Sequence, residues 1–137
     1  MTRLLALALV ATALAASACA GGDDATRVTL TADACTYDGP DSVDAGAVSL
    51  ELENETGENG VFELARIAAS SSFDELEAFV TEERRTPESA TVVVQLEVDP
   101  GEVGVLTAGV TEGSYAVVCS NGPPATAIYA TASFEAT

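Results

Sequence analysis

The sequence predicts an all-β domain, a β-sandwich or Greek-key barrel of about seven short strands with one short helix inserted. Three observations predict it. Apolar and polar residues alternate with a period of two through most of the chain after residue 26. Turn dipeptides such as Asp-Gly, Pro-Gly and Ala-Gly separate those runs. The period changes to that of a helix once, after Ser72. A chain of 137 residues has room for one such core.

The first strand is expected over Thr26 to Asp33, with Val28, Leu30 and Ala32 on one face. Cys35 to Gly46 reads as a connection, because Asp-Gly-Pro and Ala-Gly are turn signals. Ala47 to Asn54 alternates cleanly: Val48, Leu50 and Leu52 turn inward, and Ser49, Glu51 and Glu53 turn outward. After the polar turn Glu-Thr-Gly-Glu-Asn-Gly, the next strand covers Gly60 to Ile67. Ser72, with Glu75 three residues on, forms a capping-box signature, and Phe73, Leu76, Phe79 and Val80 share one helical face. This spacing predicts a helix from Phe73 to about Arg85, packed on the sheet and ended by Pro87. Asp74, Glu75 and Glu77 near its start and Arg84 and Arg85 at its end complement the helix dipole. Strands resume at Thr91 to Val98, Val103 to Gly109, Tyr115 to Ser120 and Ala127 to Glu135.

Composition narrows the function. Residues are 47% hydrophobic but only 5% aromatic, so the core is built from Val, Leu, Ile and Ala. With 22 acidic residues against five Arg and no Lys, the net charge is −17, which repels nucleic acid and excludes it as a partner. The acidity reads as a solvated, aggregation-resistant surface of a monomer. A Ser or Cys nucleophile needs a neighbouring base, and the chain contains neither His nor Lys. There is no Gly-rich phosphate loop and no paired-cysteine zinc spacing. The expectation is a non-enzymatic protein without a cofactor.

Residues 1–18 combine an early Arg, an apolar run from Leu4 to about Ala16 and a small-residue end, which describes a secretory signal peptide. The run is too short for a permanent membrane span of about 20 residues. Ala16-Ser17-Ala18-Cys19 resembles the bacterial lipobox, which implies acylation of Cys19 as the new N-terminus. The alternative is an ordinary signal cleaved after Ala18, with Cys19 left free. Residues 19–26 then form the lipidated Cys and a flexible tether, and residues 27–137 the domain, held at the extracytoplasmic face of a bacterial membrane.

With Cys19 lipidated, Cys35 and Cys119 remain as an even pair in a disulfide-permissive compartment. Cys119 lies between two alternating strands and has three readings: a metal ligand, a free thiol, or a disulfide with Cys35, the last being the expectation. Asp38, Asp41 and Asp44 crowd one loop and, with Tyr37, offer oxygen ligands to a hard cation such as Fe(III) or Ca²⁺. The competing reading is that they are ordinary solvated loop acids, as Glu51, Glu53 and Glu55 are on a strand face. The sequon Asn54-Glu55-Thr56 carries no weight in a bacterial lipoprotein.

Three fragments together resemble the cupredoxin-like fold: Ser42 to Gly46 leading into a strand that ends at Asn54, Val98 to Cys119 with its Pro-Gly turn and Tyr-x-x-x-Cys strand, and the final strand. Cys35 and Cys119 are also similar to the iron-transport-associated (EfeO-type) branch. The resemblance implies a Greek-key sandwich, with Cys119 where copper-binding members carry a ligand. It departs from them at every other ligand. A type 1 copper site takes two His and a thiolate with a weak axial Met. Here Gly60 and Val61 stand at the first His, Ser120 to Pro124 and Ile128 follow the cysteine, and the one Met is Met1. The resemblance therefore implies a copper-free binding or accessory domain meeting a protein partner or small ligand. The alternative it implies is an iron-uptake-related protein that holds a cation through carboxylates.

Overall fold

The computed structural model describes residues 26–122 and 127–137. The leader, Cys19 and the tether through residue 25 lie outside the described residues, as do Pro123 and Pro124.

Among the described residues, nine strands and one helix follow in order. They are β1 (Arg27–Leu30), β2 (Cys35–Asp38), β3 (Ser42–Val43), β4 (Gly46–Asn54), β5 (Gly60–Ile67), α1 (Phe73–Glu83), β6 (Ala90–Val98), β7 (Val103–Val110), β8 (Gly113–Asn121) and β9 (Ala127–Ala136). The first sheet has the order β2-β1-β4-β7 and the second β3-β9-β8-β5-β6. Each sheet is mixed: β1 runs parallel to β4, β3 runs parallel to β9, and the other pairs are antiparallel.

The period-two alternation drives this arrangement. Val28, Leu30, Leu50, Leu52, Leu106 and Ala108 from the first sheet meet Phe62, Leu64, Val117 and Phe134 from the second in one buried cluster. Burying a Val, Leu or Phe side chain contributes about 1.5–3 kcal/mol, so this cluster is the main source of cohesion. A second, smaller cluster lies where α1 covers the second sheet, with Leu76 and Val80 against Ala65, Ala116 and Val118. The molecule is thus a two-sheet sandwich with a helix on one outer face.

The sequence reading needs four corrections. The strands number nine among the described residues, not about seven, because Cys35 to Gly46 is not simply a connection: it holds β2 and β3. Both are short strands at sheet edges, and each takes its extended form from a partner rather than from its own alternation. The first strand ends at Leu30, and Ala32 is exposed in the turn that follows. Helix α1 ends two residues early, at Glu83. Arg84 is its C-cap in the left-handed conformation (φ 57°), and no basic residue occupies the last turn. Arg85 instead lies over the Phe79 ring, 4.9 Å from its centroid. The capping box is present as expected, with Ser72 and Glu75 bonded reciprocally.

Candidate functional site

The end of the sandwich where β4 and β8 finish and β5 begins holds Cys119 and Asn54. Cys119 is fully buried on β8, paired across to Phe62 of β5 and Tyr129 of β9. Cys35 opens β2 opposite Leu30. A disulfide joins the two cysteines, with Cα atoms 6.1 Å apart, and so ties an edge strand of one sheet to an interior strand of the other. A second tie lies beside it, where the Tyr129 hydroxyl donates to the carbonyl of Ala32 (2.8 Å). Of the three readings of Cys119, the disulfide is the one that holds.

Asn54 anchors the loop above. Its side chain is 0% exposed, and burying an amide is tolerable only when its polar atoms find partners. Here they do. Nδ2 donates to the carbonyls of Glu58 (2.7 Å) and Val98 (2.9 Å). Oδ1 accepts from the Thr56 N–H (3.0 Å) and the Thr56 hydroxyl (2.7 Å). Gly60 is the close neighbour that makes room: a Cβ there would come within 3.0 Å of Asn54 Nδ2 and 3.2 Å of Leu30 Cδ2. The backbone of Asn54 is equally engaged, donating to Glu102 and accepting from Gly101. Three chain segments meet at this one residue.

The neighbouring side chains complete the site. Asn121 accepts from the N–H of Ala127 through Oδ1 (2.9 Å), and Gly122, at φ 101°, donates to the carbonyl of Asn59 (3.0 Å). A shallow groove bordered by Glu55, Thr56, Glu58 and Asn121 runs over this end. A copper centre of type 1 does not fit here. The Cys119 sulfur is bonded to Cys35, the chain has no imidazole, and Gly60, Val61 and Asn121 offer no replacement of that kind.

Asp38, Asp41 and Asp44 are all exposed, and the structure does not bring them together; among the described residues no group of three acidic or cysteine side chains is placed to hold a metal ion. Closeness in sequence fails here because Asp38 ends β2, Asp41 precedes β3 and Asp44 follows it, so each leaves the backbone at a different point. Tyr37 is no readier as a ligand. Its hydroxyl donates to the carbonyl of Pro40 (2.8 Å), and burial holds its pKa above the ordinary tyrosine value. A hydrogen bond with Thr26 opposes that rise, and the charges of Asp41 and Asp38 add to it. Glu51 and Glu53 are half-buried strand acids that pair with Arg27.

One structural residue escaped sequence reasoning. The Tyr115 hydroxyl donates to the Thr111 carbonyl (2.9 Å) and accepts from the Thr111 N–H (3.0 Å), closing the corner between β7 and β8. Its signal is a Tyr four residues after the Thr that opens the β7–β8 turn, an arrangement similar to a tyrosine corner.

No protein-family model matches the chain, and no curated protein matches it. Solved structures similar to it include two auracyanins. One is sodium-dithionite-reduced auracyanin from the photosynthetic bacterium Roseiflexus castenholzii, 10% identical over 81% of this chain and 94% of that one, with a TM-score of 0.46. The other is auracyanin B, 15% identical over 81% of this chain and 86% of that one, with a TM-score of 0.43.

Proposed function

We propose that the chain is a non-enzymatic lipoprotein, anchored through Cys19 to the extracytoplasmic face of a bacterial membrane, whose cupredoxin-like domain works as a copper-free binding or accessory module. One observation carries the reading: the sulfur of Cys119, where the resemblance places a copper ligand, is bonded to Cys35. The absence of His in the whole chain supports it. So does the loop around Asn54, which is held by fully satisfied hydrogen bonds and leaves no donor set for a soft metal. Two or three acyl chains on one cysteine suffice for stable attachment, where a single chain does not.

The iron-related alternative needs clustered carboxylates, and nothing in the placement of Asp38, Asp41 and Asp44 favours it. Native mass spectrometry of the full chain, exported to an oxidising compartment and offered Cu²⁺ and Fe³⁺, tests both readings. The expected mass is that of the acylated chain with its Cys35–Cys119 bridge and no retained metal. Stoichiometric copper or iron would overturn the copper-free module, and an unmodified Cys19 would overturn the anchor.

A further inference from the structure

At the opposite end of the second sheet lies a cleft of about 380 Å³ between the start of α1, the first residues of β8 and the last residues of β9. Its size falls in the range of small-molecule sites. The β8–β9 register shifts here: Ser114 pairs with Glu135 and Ala116 with Ala132, so that Ser133 and Phe134 both stand opposite Tyr115. Such a bulge re-aims a side chain that a regular ladder would have paired off. Ser133 forms part of the cleft wall, is only 8% exposed, and carries the one buried side-chain polar atom without a hydrogen-bond partner among the described residues. A hydroxyl left buried and unpaired is unfavourable, and a ligand group that reached it would relieve that.

The charges around the cleft indicate which partner. Its charged lining residues are both acids, Asp41 and Glu135. The Glu135 N–H donates to the Asp41 carbonyl (2.9 Å), which ties the two backbones together, and the Glu135 carboxylate accepts from the Ser114 hydroxyl. The start of α1 does not offset them, because its capping box is closed and brings the Glu75 carboxylate to the same turn. Ile67, Phe73 and Phe134 supply an apolar wall. An anion is repelled by this arrangement, and a fully apolar ligand leaves Ser133 unpaired.

We propose that the cleft between α1 and the β9 bulge binds a small organic cation, an ammonium or guanidinium group on a short apolar body. The charged head lies toward Asp41 and Glu135, the body rests against Phe73 and Ile67, and the Ser133 hydroxyl hydrogen-bonds the ligand. This site stands independently of the lipid anchor and of the copper-free reading.

The test titrates the full chain, at roughly 0.15 M salt to screen exposed charges, with three probes of one shape: phenethylammonium, 2-phenylethanol and phenylacetate. Amide shifts in NMR spectra report the position. The expected result is saturable binding of the ammonium probe, with shifts confined to residues 41, 67, 71–73, 113–115 and 132–135, weaker binding of the alcohol, and none of the anion. Ser133→Ala should weaken the ammonium probe about fivefold, and Asp41→Asn with Glu135→Gln should remove the preference for the cation. Both variants alter groups that support no core packing, and unchanged spectra elsewhere will show that they fold. Shifts spread over the acidic surface would overturn the proposal. So would equal binding of the three probes, or an undiminished affinity in Ser133→Ala, which would mean that a water alone satisfies that hydroxyl.

Discussion

The side-chain oxygen of Asn54 accepts from both the backbone N–H and the hydroxyl of Thr56, at 3.0 and 2.7 Å, while its amide nitrogen reaches the carbonyl of Glu58 in the same loop and that of Val98 on β6. A sequence pattern that reads as a glycan acceptor is here a buried turn, with the amide nitrogen turned inward and both its hydrogens donated. Asn54→Ala removes all four bonds and leaves buried partners unpaired. It should destabilise the domain by on the order of 3 kcal/mol, seen as a lower urea midpoint. Asn54→Asp keeps the shape but loses both donors and buries a charge, so it should be no milder.

The disulfide joins residues 84 positions apart, and closing a loop of that length stabilises a fold by roughly 4–5 kcal/mol on the chain-entropy account. Cys35→Ser with Cys119→Ser should therefore lower the midpoint of unfolding by far more than any surface change. Reduction of the unaltered chain should reproduce the shift, and the double variant should not respond to reductant.

Tyr115→Phe retains the ring, which stacks on Phe134 at 5.2 Å, and deletes only the hydroxyl that closes the β7–β8 corner. The loss should be about 1–2 kcal/mol, since the Thr111 N–H and carbonyl lose a partner at a half-buried site. Hydrogen exchange at Thr111 should accelerate in the variant. An unaltered rate would show that the hydroxyl contributes nothing to the corner.

The Ser71 hydroxyl, followed by the backbone and hydroxyl of Ser72, holds the Glu75 carboxyl below the ordinary carboxylate pKa. A depressed pKa in the folded state means that the stabilisation is complete above the ordinary value of about 4.3 and is lost as pH falls through the folded one. Acidification also relieves the repulsion of a chain at −17, so the absolute stability mixes two effects. Comparison with Glu75→Gln separates them. The Tm advantage of the native chain over that variant should be present at pH 6 and shrink toward pH 3.

How much of this was legible in the sequence varied with the origin of each feature. Leu50 and Leu52 alternate with Glu51 and Glu53, so β4 is written in its own residues, and β5 likewise. The capping box at Ser72 and Glu75 is equally local. Strand β3 is different: Ser42 and Val43 are extended because they pair with Glu135 and Ala136, more than ninety residues away. No local pattern announces that. Asn54 shows the same limit, since its partner carbonyl at Val98 is 44 residues distant. Cys119 was legible through the count of cysteines rather than through geometry. Asp38, Asp41 and Asp44 show that adjacency in sequence does not by itself bring side chains to one point. Ser133 gave no signal, because its isolation depends on a one-residue slip between two strands.

The cross-link between the sheets also determines how the molecule answers to force. When its two ends are pulled apart, the load reaching Cys35 passes through a covalent bond to Cys119, and the segment between them cannot lengthen. Only the residues before Cys35 and after Cys119, which include β1 and β9, are free to peel. The unfolded length under tension is therefore less than half of the contour of the chain. A reductant would release the remainder, so an extension record taken with and without it would measure the segment that the bond keeps slack.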